Sequence, residues 1–307
     1  MAPVSSTISP DNRLGIGVAL LALYLVWGST YLANAVALAT LAPFPLLAFR
    51  FLVAGSLLYG GLRLRGAPRP TRAEWLGAGL TGILLLNLGL GMVVYAQQWV
   101  ASSLAAVIVA TMPLWLALFA RLFGARTSLG EVFGMLLGLV GIALLNGEQD
   151  LRTHPGALLV FVGPVAWAFG SAYSRQLVQP KGLMGSAVQM LVAGVVFVPL
   201  ALLGGELLPR TPSLGSLLAL AYLIFFGSIV AYSAYLYLLE QRVRPALATS
   251  YAYVNPGVAV VLGVGLAGET ISVNGYLGMG VILAGVVLVV TLKAWQGKKS
   301  RAAASAK

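Results

Sequence analysis

Arg50 is the residue in this chain whose type and place most demand a chemical explanation. It stands about two turns into an apolar run, with no carboxylate within a turn or two of it in the sequence. A guanidinium inside a membrane is costly unless it faces a cavity or a partner. Two readings are open. Arg50 lines a cavity and takes a carboxylate or other anion through its planar fork, or it packs between helices and bonds backbone carbonyls. Other polar and aromatic residues recur at i, i+3 and i+4, the spacing of one helix face. They are Trp27, Thr30 and Asn34; Asn87, Gly91, Tyr95 and Gln98; Thr111 and Trp115; Trp167 and Ser171; Ser228, Tyr232 and Tyr235; Tyr251 and Asn255. Gln189, the position that answers to Arg50 in the repeat described below, is polar too. Together they suit an aromatic-walled pocket for a small zwitterion or aromatic solute. Interhelical hydrogen bonds and interfacial aromatic belts explain the same residues without a ligand, most readily near helix ends.

These side chains need elements to hold them, and composition defines the elements. Of 307 residues, 59% are hydrophobic and 9% charged, too little polarity to cover a water-facing surface. No Cys and a single His exclude thiolate and His-cage metal sites. No cofactor is expected. Enzyme signatures are absent: no phosphate loop with Lys-Ser/Thr, no His-Glu-x-x-His, no Asp-rich cluster. The pattern predicts ten membrane helices, near 14–33, 44–62, 75–95, 102–123, 129–146, 156–175, 183–203, 214–239, 246–267 and 273–292. The first run follows Arg13 and could be taken for a signal peptide, but it is long for a signal core and is duplicated later, so it is expected to be a retained helix.

With the N-terminus placed inside, sixteen of the nineteen Lys and Arg fall on the cytoplasmic side. Only Arg152 and Arg210 fall opposite, and Arg50 is intramembrane. The positive-inside rule then puts both termini in the cytoplasm. It also accounts for the net charge of +11 without nucleic acid.

The chain resembles itself. Leu52-Val53-Ala54-Gly55 returns 139 residues later as Leu191-Val192-Ala193-Gly194. Trp27 and Trp167 are 140 apart, Pro113 and Pro256 are 143 apart, and Gly134-Met135 and Gly278-Met279 are 144 apart. Two five-helix units, 1–147 and 148–307, are expected. An odd helix count turns the second unit upside down, the inverted-repeat architecture of many secondary transporters. Pro113 and Pro256 would sit inside helices 4 and 9 as paired hinges or static kinks. Glycines such as Gly138, Gly141 and Gly285 predict close packing of helices 5 and 10.

Ten helices in two repeats, Trp27-Gly28-Ser29-Thr30-Tyr31, Arg50, and the approaches to Pro113 and Pro256 resemble the drug/metabolite transporter superfamily, EamA type. Within it the chain is most similar to exporters of aromatic and other neutral amino acids of the YddG type. The second repeat departs from the helix 1 motif, with Trp167-Ala168-Phe169-Gly170 in place of Trp-Gly-Ser-Thr. The resemblance implies a multi-pass carrier of the bacterial inner membrane that exports amino acids or similar metabolites. The eight acids fall in tails, loops or helix ends, which favours facilitated transport over proton coupling. A multidrug or cationic-solute exporter and, further off, a membrane enzyme are the alternatives. The oligomeric state is not legible.

Overall fold

The computed structural model describes residues 10–122, 129–145, 150–205, 211–240 and 251–305. Among these every regular element is helical. The expectations that rest on Arg126, Arg210, Arg242, Arg244 and Lys307 lie outside the described residues. Among the described residues seven helices are long and apolar enough to cross a membrane. They are α1 (Leu14–Leu38), α2 (Pro43–Leu64), α3 (Arg72–Ala96), α4 (Ser102–Phe119), α6 (Pro155–Gln176), α7 (Leu183–Leu203) and α8 (Leu214–Leu238). Three further helices carry shorter apolar segments: α5 (Leu129–Leu145), α9 (Tyr251–Ala267) and α10 (Val273–Ser305). The protein is an all-α, polytopic membrane protein. Leu14, Val18, Leu21 and Leu25 recur at helical spacing along α1, each more than half exposed. Such a stripe needs an apolar solvent, and lipid supplies it.

Local chemistry sets the helix ends. Pro43 starts α2 after an extended Ala42. Thr71 and Glu74 close a capping box at the start of α3. Ser213 caps α8 through the Ser216 N–H, and the His154 ring accepts from the Gly156 N–H at the start of α6.

The α4 span is interrupted beside Pro113. The α4 rod breaks at Ala110–Thr111 and resumes at Met112, which puts Pro113 in the first turn, where its missing N–H costs nothing. Pro256 does lie inside α9. Past the apolar run expected to end near Leu292, α10 continues as helix to Ser305.

Interhelical contacts run through glycine. α2 packs on α7, and α5 on α10. A Cβ at Gly55 would meet Leu191, with the Leu191 backbone N at 2.9 Å. A Cβ at Gly194 would meet Leu52, with the Leu52 N at 2.8 Å. The second pair repeats this reciprocity. A Cβ at Gly141 would fall 2.9 Å from the Gly278 O and Ile282 N, and one at Gly285 would fall 2.6 Å from the Gly134 O and 3.0 Å from the Gly138 N. Each is a place where the absence of a side chain lets two backbones touch.

Candidate functional site

Three helices carry stretches wound as π-helix: Leu23–Trp27 in α1, Ile83–Gly91 in α3 and Leu223–Tyr232 in α8. Hydrogen bonds there run i→i+5, which widens the turn and re-aims the side chains that follow; such segments are frequent at functional sites. All three meet the wall of one central cavity.

The cavity offers about 80 Å³ to the centre of a water-sized sphere. α1 contributes Trp27, Thr30, Tyr31 and Asn34; α2 contributes Arg50 and Phe51; α8 contributes Gly227, Ser228 and Tyr232. α9 adds Tyr251 and Asn255, α6 adds Trp167, and α3 and α4 fill the rest with apolar groups. Among the described residues none of α5, α7 or α10 lines it.

Arg50 is 3% exposed, deep in the protein. Its Nε donates to Ser228 Oγ at 2.8 Å. Its Nη1 reaches Asn34 Oδ1 at 3.5 Å, a long and weak bond. Asn34 donates through Nδ2 to Gln97 Oε1 at 3.2 Å, and Gln97 donates to the Tyr31 carbonyl at 2.9 Å. Among the described residues its hydrogen-bond partners are thus neutral side-chain oxygens, not the backbone carbonyls that a packing role would use. The guanidinium carbon lies 5.3 Å from the Phe51 ring centre, within cation–π range. A Cβ at Gly227 would come within 3.0 Å of Nη2, so glycine there leaves the fork room. An Arg held by its Nε edge keeps N–H groups for an incoming anion.

Aromatic rings form the rest of the wall. Trp27 meets Trp167 edge-on at 5.8 Å and Tyr251 at 5.1 Å. Trp167 stands 6.3 Å from Tyr232 and 6.0 Å from Tyr235, with its indole Nε1 buried. Asn255, with its amide nitrogen turned toward α1, donates to the Leu23 carbonyl at 3.1 Å and the Tyr24 carbonyl at 3.3 Å, in the π segment, and to its own turn at Tyr251.

Eight of the thirteen residues expected in a pocket therefore line this one: Trp27, Thr30, Asn34, Arg50, Trp167, Tyr232, Tyr251 and Asn255. Five do not. Asn87 donates to the Ala193 carbonyl of α7 at 3.0 Å. Tyr95 stacks on Phe44. The Thr111 hydroxyl bonds the Ile108 carbonyl and takes the Trp115 N–H. Ser171 contacts the Tyr235 hydroxyl at 3.4 Å. Gln189 accepts from the Tyr232 hydroxyl just behind the wall and donates to Gln179. Asn87 and Tyr95 were placed by an α spacing that the π turn of α3 breaks. The same turn brings Gln97 inward, and Gln98 is left at the surface bonded to Tyr95. Tyr31, the last residue of the Trp27–Tyr31 motif, lines the cavity too, as do Gly163, Pro164 and Gly227, which carried no sequence signal. Among the described residues no group of three His, Asp or Glu could hold a metal.

Comparisons with known proteins agree with a carrier of this build. The chain matches the EamA-like transporter family over residues 13–147 and again over 154–291. It is 49% identical to the uncharacterized inner membrane transporter YedA of Escherichia coli K12 over 273 residues, 88% of this chain and 89% of that one. It is 24% identical to an uncharacterized transporter of Synechocystis, over 91% of both chains. A solved crystal structure superposes with a TM-score of 0.66 at 21% identity, over 91% of this chain and 98% of its own, which speaks to the fold alone. The chain belongs to the EamA-like transporter family.

Proposed function

We propose that this protein exports aromatic and other neutral amino acids, or similar small metabolites, across the bacterial inner membrane by alternating access around the Arg50 cavity. The observation that carries the reading is a buried guanidinium facing a cavity with only neutral hydrogen-bond partners among the described residues. A substrate carboxylate completes it. The Trp27, Trp167 and Tyr251 rings take the apolar part and offer π faces to an ammonium. Among the described residues the cavity wall carries no Asp or Glu, which favours a substrate with a carboxylate over a cationic drug. Transport is facilitative, driven by the substrate gradient.

The rocking units are residues 1–147 and 148–307, two five-helix repeats of opposite orientation with both termini cytoplasmic. The reciprocal contacts Gly55–Leu191 and Gly194–Leu52, and Gly141–Gly278 and Gly285–Gly134, support this pairing. Contacts that map onto themselves when the halves are exchanged are what a two-fold pseudo-axis produces. Relatives named as transporters support the carrier class over an enzyme.

Liposomes holding the purified protein and preloaded with Phe or Thr should release them faster than empty liposomes. Equal leakage would remove the amino-acid reading. Arg50→Gln should bring release down to the background while the protein still elutes as a folded species.

A further inference from the structure

Glu269 stands just past the end of α9, behind Gly268, whose φ of +66° turns the chain. Its carboxylate reaches across to the start of α4. Oε1 accepts from the Ser102 N–H at 2.8 Å and the Ser102 hydroxyl at 2.6 Å. Oε2 accepts from the Ser103 N–H at 3.0 Å and the Ser103 hydroxyl at 2.5 Å. Four donors thus meet one carboxylate at a helix N-terminus, where negative charge is favoured. The seat is shaped for it. A Cβ at Gly263 would fall 2.3 Å from Oε2, and the Glu269 N–H is tied to the Gly263 carbonyl at 3.0 Å.

The clamp joins the two halves of the chain. α9 also packs against the first part of α4 and against α1, so the clamped ends belong to helices that carry Val109, Tyr251 and Asn255 into the cavity wall. The sequence does not repeat this pair at the positions that the repeat offsets assign to the other face. By the repeat offset of 144, Gly268-Glu269 corresponds to Gly124-Ala125. By the offset of 143, Ser102-Ser103 corresponds to Pro245-Ala246, which has neither hydroxyl and lacks one N–H. The charged tie is therefore written into one side of a duplicated architecture.

We propose that Glu269 is a gating residue: its clamp on Ser102 and Ser103 closes the face that the charge pattern assigns to the periplasm, and its release opens the cavity there. This rests on the alternating-access reading above. The tie biases the protein against opening on that face.

The chain has no Cys, so a single introduced thiol reports without background. Val109→Cys places it in the cavity wall. An impermeant maleimide is then added to the periplasmic face in spheroplasts, or to the cytoplasmic face in inverted vesicles. In the Glu269→Gln background, periplasmic labelling should rise about tenfold or more, as expected for loss of charge-assisted hydrogen bonds. Cytoplasmic labelling should fall or stay level. Ser102→Ala/Ser103→Ala, which leaves the acid in place, should do the same and guards against a misfolded Gln variant. Unchanged periplasmic labelling in both variants overturns the gate while leaving alternating access standing, provided the thiol still labels from each face. A thiol that labels from neither face in any background overturns both.

Discussion

At the residue scale the account turns on how Arg50 is held. Ser228 fixes the Nε edge and Gly227 clears space beside Nη2. Arg50→Lys keeps the charge and loses the fork, so kcat/KM should drop about tenfold or more, since one bidentate pair is not replaced by a point charge. Gly227→Ala puts a methyl 3.0 Å from Nη2 and 3.1 Å from the Thr30 methyl. It should raise the substrate KM several-fold with little change in the folded yield. Steady-state uptake in vesicles distinguishes the two. Arg50 was legible because a charge in an apolar run has few explanations. Gln97 was not, because a polar residue near a helix end belongs to no face until the turn before it is known, and here that turn is π.

At the scale of elements, glycines set how near helices approach. Gly141→Val places branched carbons on the Ile282 N and Gly278 O, which backbone atoms cannot vacate. It should destabilise the α5–α10 pair by about 1–3 kcal/mol, read as a lower apparent Tm in detergent. Gly17 has open space around its Cβ, so Gly17→Ala should leave Tm where it is or raise it. The Glu269 clamp belongs to this scale as well. Burial alone would raise its carboxyl, but the bonds from Ser102 and Ser103 outweigh burial and hold it below the ordinary carboxylate value. An acid with a depressed pKa lends its clamp above the ordinary range and loses it as pH falls through the lowered value. Periplasmic labelling of the cavity thiol should therefore be flat from neutral to mildly acidic pH and rise only in stronger acid. Rod positions were readable because lipid forces long apolar runs; the break in α4 was not, since a proline reads alike as kink, hinge or helix start.

At the scale of the whole molecule, charge and hydropathy carry the class of protein, because a bilayer leaves few ways to satisfy a backbone. The order of Trp27, Leu52–Gly55 and Gly134 against Trp167, Leu191–Gly194 and Gly278 is what the two-repeat proposal rests on in the sequence. The substrate is the least legible feature, since Arg50 names an anion and the rings name an apolar part without naming a molecule. Tags at residues 1 and 307 should be cleaved by a protease added to the same side, as both termini are expected in the cytoplasm; cleavage from opposite sides would break the five-helix units. Everything proposed for transport depends on Arg50 receiving the substrate. Labelled Phe should exchange into proteoliposomes loaded with unlabelled Phe. That counterflow should saturate, ignore a pH gradient and vanish in Arg50→Gln. If Arg50→Gln exchanges Phe at the wild-type rate, Arg50 is not the substrate's partner.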